Sequence, residues 1–322
     1  MRRAFFIVGP TATGKSELGA DVARKLNAEI VSADAFQIYR GLDLLAAKPE
    51  PSTLAKAPHY LTGTTSLHEE MNAEKFRRAA LRAIEGINSR GRLAIVVGGS
   101  GLYIKALTHG LAPLPTSDPE LRERLNAMSL DELHLQLAEL DLKTARQIDV
   151  KNRRRLVRAL EICLVTGKPA SKQREQWTVA ASLCEAQSAA VIGARHGASH
   201  GKADAGVFVF RDREELYERI NQRVEAMFEK GVIEEVRASG ATSATASQMI
   251  GLREIGELLE GRMSLLQCIA EIQQATRRYA KRQLTWFRRQ TNFSPINLSI
   301  LSHNEAVKGV LLRAQRSARE SE

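Results

Sequence analysis

At 322 residues the chain is long enough for about two domains, and its 43% hydrophobic and 26% charged residues exclude wholesale disorder. Forty-seven Lys and Arg against thirty-seven Asp and Glu leave a formal charge of +10, which favours an anionic partner such as nucleic acid and fits equally a basic solvated surface. Cys163, Cys184 and Cys268 form no C-x-x-C pair, which argues against a zinc site or a disulfide framework, and no run approaches the roughly 20 apolar residues of a membrane span.

The apolar run in MRRAFFIV stops at Gly9 and Pro10, too early for a signal peptide, so a soluble cytoplasmic protein is expected. The segment AFFIVGPTATGKSELGADVARKL reads as a buried strand, a glycine-rich turn and an amphipathic helix carrying Leu18, Val22 and Leu26. Its turn, Gly9-Pro10-Thr11-Ala12-Thr13-Gly14-Lys15-Ser16, matches G-x-x-x-x-G-K-[ST]. In such a loop backbone N–H groups and a helix N-terminus meet a phosphate, Lys15 neutralises charge, and the Ser16 hydroxyl can hold Mg²⁺.

AEIVSAD is a second strand ending at Asp34, followed by a loop and helix through FQIYRGLDLLAAKPEP. NAEKFRRAALRAIEGINSR reads as helix, and LAIVVGGSGLY as a third strand running into Gly98-Gly99-Ser100-Gly101. Strands alternating with helices predict a parallel sheet covered on both faces. Ligands then bind beyond the carboxyl ends of the strands, where the loop, Asp34 and the glycine turn all fall.

Three prolines in LAPLPTSDPE mark a change, and helical patterns follow to about residue 182, including NRRRLVRALEICLVTG ending at Gly167. VIGARHGASHGKADAG, 191–206, reads as a loose segment, GVFVF as a strand, and two long helices follow. The expected organisation is a first core part at 1–112, a helical insertion domain at 113–202, and core completion at 203–322 with a polar tail that frays after about residue 303.

Asp34 is the only acid at a strand end, and no N-K-x-D signature occurs. It suits a metal-supporting carboxylate, a general base or a cap for the next segment. Two acid-free clusters, KNRRRLVR and TRRYAKRQLTWFRR, hold five and six cations. The second, if helical, makes one wide basic face and leaves Leu265, Ile269, Ile272, Leu284 and Phe287 for the core. Both suit RNA or DNA phosphates, with Tyr279 and Trp286 placed either to stack on bases or to pack.

Together these segments resemble the tRNA dimethylallyltransferase, or tRNA isopentenyltransferase, family of bacterial type. The likeness runs through GPTATGKS, SADAFQIYRGLDLLAAKP, PHYL, VVGGSGLYIKAL, RRLVRALEICLVTGKP, LYERINQRVEAMFEKGVIEEV, QMIGLREI and YAKRQLTWFRR. D-x-x-Q-x-Y-R-G and K-R-Q-x-T-W-F-R in this order are far more specific than a phosphate loop alone.

The resemblance implies an α/β fold, a P-loop NTPase-like parallel sheet flanked by helices with an all-helical insertion. It also implies transfer of a dimethylallyl group from dimethylallyl diphosphate to N6 of the adenosine 3′ of the anticodon. Residues 9–16 then hold the diphosphate with Mg²⁺ on Ser16, Asp34 takes the proton from the amine, and Ser100 keeps a hydroxyl near the reacting carbon. tRNA, through its anticodon stem-loop, falls to Asp34, Ala35, Phe36, Gln37, Ser100, Arg122, Arg154, Arg155, Leu156, Val157, Arg158, Gln248, Arg253, Lys281, Arg282, Gln283, Trp286 and Arg288 of what is expected to be a monomer. Ala35, Tyr60, Ser100 and Leu252 depart from the family's usual residues, and Arg219 and Arg223 lie in a family-like stretch without an assigned role. A kinase with the same loop leaves the basic clusters unexplained, and a non-catalytic RNA-binding module leaves Gly14, Lys15, Ser16 and Asp34 unexplained.

Overall fold

The computed structural model describes residues 4–111, 115, 117–173, 206–290 and 292–319. It divides into two compact units, Met1–Thr108 with Ser188–Glu322, and His109–Gln187. The loose segment expected at 191–206 lies, but for Gly206, outside the described residues, as do Cys184 and the expected boundary at 202.

The first unit is built on six parallel strands, β1 (Ala4–Val8), β2 (Glu29–Ser32), β3 (His59–Tyr60), β4 (Ala94–Gly98), β5 (Gly206–Phe210) and β6 (Phe293–Asn297), in the order β3-β2-β4-β1-β5-β6. Alternation along β1 explains why both faces are covered. Phe6 and Val8 enter one core with Phe76, Ala80 and Ile84 of the Ala73–Ser89 helix, whereas Phe5 and Ile7 enter another with Leu18 and Val22 of the Lys15–Leu26 helix. Burying side chains of this size stabilises by about 1.5–3 kcal/mol each.

Because all six strands run the same way, their carboxyl ends share one edge. There Gly9 N–H donates to Gly98 O at 3.3 Å, Ala33 N–H to Val97 O at 2.8 Å and Ser100 N–H to Ala33 O at 3.3 Å. The phosphate loop, the segment after β2 and the glycine turn after β4 are thus stitched together by backbone.

Three expectations change. The tail does not fray at 303, since His303–Arg319 is a helix whose Ala306, Val307, Val310 and Ala314 pack with Leu18 and Val22. That apolar stripe is sparse among polar residues, which made the tail look featureless. Residues 35–47 form turns rather than a helix, with only Pro51–Leu54 helical, and Ala47 at φ 49° breaks the run. β3 and β6 were not anticipated, being two residues long and proline-bearing respectively.

The second unit is helical, with Pro119–Ala127, Leu130–Leu140, Leu142–Gln147 and Arg153–Thr166 gathered around Leu121, Leu125, Leu133, Leu137, Leu156 and Leu160. A capping box between Ser129 and Glu132 breaks the first pattern into separate helices. Gly167 at φ 64° ends the last one, as its position predicts.

Candidate active site

The loop after β1 leads directly into the Lys15–Leu26 helix. Gly14 caps that helix at φ 90°, a conformation that other residues adopt only under strain. Gly9 leaves no room for a Cβ against the Val209 carbonyl, so the loop lies flat on β5. Thr13 Oγ1 donates to Pro10 O at 3.0 Å, and Lys15 Nζ donates to the same carbonyl at 3.1 Å. Burial lowers the Lys15 amine to about 8; the Asp34 carboxylate opposes this and the Arg223 guanidinium adds to it. Ser16 is half-buried in the first helical turn and borders a small cavity with Ser32, Gln37 and His59.

Asp34 follows β2. Its Oδ1 accepts from Phe36 N–H at 3.0 Å and Gln37 N–H at 3.4 Å. This is the capping geometry that competed with a catalytic reading, and it uses one oxygen only. Oδ2 has no hydrogen-bond partner among the described residues. Ser100 Oγ accepts from Ala35 N–H at 2.9 Å, tying the glycine turn to the residue after Asp34. Gln37 Nε2 donates to Ala47 O at 2.9 Å, which leaves the amide oxygen as the group it offers outward.

Several residues that sequence reasoning left without a role converge on the loop. Arg211 Nε donates to Thr13 O at 3.0 Å, Arg219 Nε to Ala12 O at 2.9 Å, and Arg223 Nη1 to Thr11 Oγ1 at 2.9 Å. Arg219 and Arg223 sit four apart in the Arg213–Glu229 helix, which places them on one face. Burial brings the Arg223 guanidinium down to about 10, with Asp34 opposing and Arg219 assisting, and its Nε is shut from solvent without a partner. The 3.6-residue spacing of these arginines was legible, but that they face the loop depends on β5 pairing beside β1.

The Leu265–Phe287 helix also behaves differently from expectation. Gln283 is buried; its Oε1 accepts from Thr11 N–H at 2.9 Å and its Nε2 donates to Gly99 O at 2.8 Å. Trp286 packs on Gly101, where an added Cβ would meet its ring at 2.8 Å. Burial and then the nearby Asp34 carboxylate drive the Tyr279 phenol well above the ordinary range. Of the alternatives open for Trp286, packing is the one observed. Lys281, Arg282 and Arg288 are exposed, with Arg282 5.7 Å from the centroid of the Tyr279 ring. Leu265 is exposed rather than in the core.

In the second unit Arg154 and Arg155 are exposed, whereas the Leu156 and Val157 side chains are buried in its core. Arg122 and Arg158 pair with the fully buried Glu161, at 2.9 and 2.5 Å, so they satisfy an internal charge instead of standing free. Arg253 is exposed and pairs with Glu254 at 2.9 Å; Gln248 is exposed at the end of a short 3₁₀ turn. Two departures find structural reasons, since Tyr60 donates to the buried Glu29 at 2.8 Å and Leu252 packs on the larger core.

No helix among the described residues is long and apolar enough to cross a membrane. The chain matches the IPP transferase family over residues 37–290. It is 40% identical to tRNA dimethylallyltransferase 1 of Citrifermentans bemidjiense, covering 88% of each chain. It is 38% identical to the tRNA dimethylallyltransferase of Akkermansia muciniphila, covering 88% of this chain and 90% of that one. Among solved structures it is similar to the tRNA isopentenylpyrophosphate transferase of Bacillus halodurans, with a TM-score of 0.68 at 30% identity over 99% of both chains.

Proposed function

Because this chain belongs to the IPP transferase family, we infer that it transfers a dimethylallyl group from dimethylallyl diphosphate to N6 of the adenosine immediately 3′ of the anticodon in tRNA. The products are N6-(dimethylallyl)adenosine and diphosphate. The observation that carries this assignment to particular residues is the position of Asp34. It holds one carboxylate oxygen in a backbone turn and keeps the other uncommitted, within electrostatic reach of Lys15 and Arg223 at the phosphate loop.

The chemistry follows from that arrangement. An aromatic amine is a weak nucleophile, so its attack needs alignment and proton removal. As the N6–C1 bond forms, the C1–O bond to diphosphate breaks, the N6 proton passes to Asp34, and diphosphate departs with the electron pair. Lys15, Arg219, Arg223 and the N–H groups entering the Lys15–Leu26 helix stabilise the charge that develops on the leaving group. The Gln37 amide oxygen accepts from the flipped base, and the Ser100 hydroxyl, fixed by Ala35 N–H, lines the path of the reacting carbon. Extruding a base from a loop costs less than taking it from a duplex.

Mg²⁺ fits this donor set as a companion of the diphosphate. The Ser16 hydroxyl would hold it beside the phosphate loop, as suits an ion bound through few protein ligands. When bound it neutralises diphosphate charge. The one group of three potential ligands among the described residues, Glu17, Asp21 and His303, is instead cross-linked by Lys56, which lies 2.9 Å from Asp21. Exposed Arg154, Arg155, Lys281, Arg282 and Arg288 supply contacts to tRNA phosphates, and the enzyme works as a cytoplasmic monomer.

The assay combines the protein, Mg²⁺, labelled dimethylallyl diphosphate and unmodified tRNA bearing adenosine after the anticodon. Label in the RNA is the expected result. An unlabelled RNA with ATP consumed in a parallel reaction would replace this reading with a kinase.

A further inference from the structure

Gln283 was expected among the RNA-facing residues of the Leu265–Phe287 helix, yet it is 6% exposed and turned inward. Its amide spans two loops that belong to different strands. Oε1 takes the Thr11 N–H of the phosphate loop, and Nε2 donates to Gly99 O, one residue before Ser100. Gly99 has no space for a side chain because the Gln283 amide occupies it, so the bridge and the glycine turn are fitted to each other. Trp286, at i+3, extends the same helix face to Gly101.

We propose that Gln283 is a positioning residue for group transfer, setting the distance between the diphosphate cradle at Gly9–Ser16 and the Ser100 edge of the acceptor site, and not a tRNA contact. The proposal rests on the transferase reading above. The planar amide supplies an acceptor to one loop through Oε1 and a donor to the other through Nε2, from a single side chain. Carbon transfer between two separately held substrates is sensitive to such spacing, with misplacement by about 1 Å costing on the order of 100-fold.

The test compares wild type with Gln283→Met, which keeps length and removes both hydrogen bonds, and Gln283→Glu, which keeps the acceptor for Thr11 and loses the donor to Gly99. Three quantities are measured: single-turnover transfer with saturating tRNA and dimethylallyl diphosphate, tRNA affinity by filter binding, and backbone hydrogen exchange over residues 9–14. For Gln283→Met the expected result is a rate lower by about 10- to 100-fold, tRNA affinity within about twofold of wild type, and faster exchange in the loop. Gln283→Glu should regain slow exchange without regaining the rate.

A wild-type rate in both variants overturns the proposal, as does weakened tRNA binding with a normal rate at saturation, which would restore Gln283 to the RNA interface. If Gln283→Met does not fold, the rate and tRNA affinity of Gln283→Glu decide between the same two outcomes. Absence of transfer by the wild-type protein would instead overturn the transferase reading itself.

Discussion

Arg223 reaches the Thr11 hydroxyl at 2.9 Å with a guanidinium whose Nε is sealed from solvent and unpartnered. No carboxylate among the described residues forms a salt bridge with it, and Asp34 acts on it only through space. A buried cation without a paired anion is unfavourable, and a diphosphate bound beside Thr11 would relieve it.

Arg223→Met should therefore separate stability from binding. The donor-free protein should melt at the same temperature as wild type or higher, while affinity for dimethylallyl diphosphate falls about 10- to 100-fold, as expected for losing charge-assisted hydrogen bonds. Thermal shifts with and without the donor check both signs. A large loss of melting temperature with an intact donor shift would make Arg223 a structural residue.

Asp34→Asn tests the base. Asn retains an acceptor for Phe36 and Gln37 N–H, so the turn after β2 survives. Turnover should fall at least about 100-fold, a usual general-base contribution, with tRNA affinity largely intact. A near-normal single-turnover rate would leave Asp34 only its turn.

The two kinds of arginine on the Arg153–Thr166 helix should separate as well. Replacing exposed Arg154 and Arg155 by Ala should weaken tRNA binding and reduce the slope of log affinity against log salt by about 0.7 to 0.9 per lost phosphate contact. Arg158→Ala removes a partner from the buried Glu161, and should lower stability by about 1–2 kcal/mol while changing that slope little. Denaturant midpoints and salt titrations of the two variants distinguish them. An unchanged slope for Arg154 and Arg155 would show that they face away from RNA.

Local patterns made much of this legible. The glycine spacing of Gly9–Ser16, the strand-end position of Asp34 and the Gly167 stop each carry their meaning within a few residues. What sequence reading missed depends on the order of the strands. β5 lies beside β1 though about two hundred residues separate them, and this brings Arg211, Arg219 and Arg223 onto the loop. Likewise, cationic character marked the Leu265–Phe287 helix for its exposed basic side chains, but charge says nothing of an inner stripe. Gln283 and Trp286 were grouped with their basic neighbours when their contacts are with Gly99 and Gly101. Leu156 and Val157 show the same pattern in the second unit, where a basic run alternates with core positions at helical spacing.

Lys15 carries a pH signature whose sign differs with and without the donor. Burial holds its amine at about 8 in the folded chain against an ordinary 10.5. Between those values the unfolded chain binds the extra proton, so the Lys15 contribution makes the donor-free protein more stable as pH rises through that window, and its full penalty is present below it. The diphosphate needs the charged amine, so donor affinity should weaken as pH rises above about 8, while Arg223, at about 10, still carries its charge. The comparison is with Lys15→Met. The stability difference, wild type minus variant, should rise between pH 7 and 10, and donor affinity should fall over that range in wild type and vary much less in the variant. Denaturant titrations and donor binding at both pH values read the two trends, and a wild-type donor affinity that is flat from pH 7 to 9.5 would remove Lys15 from the phosphate contact.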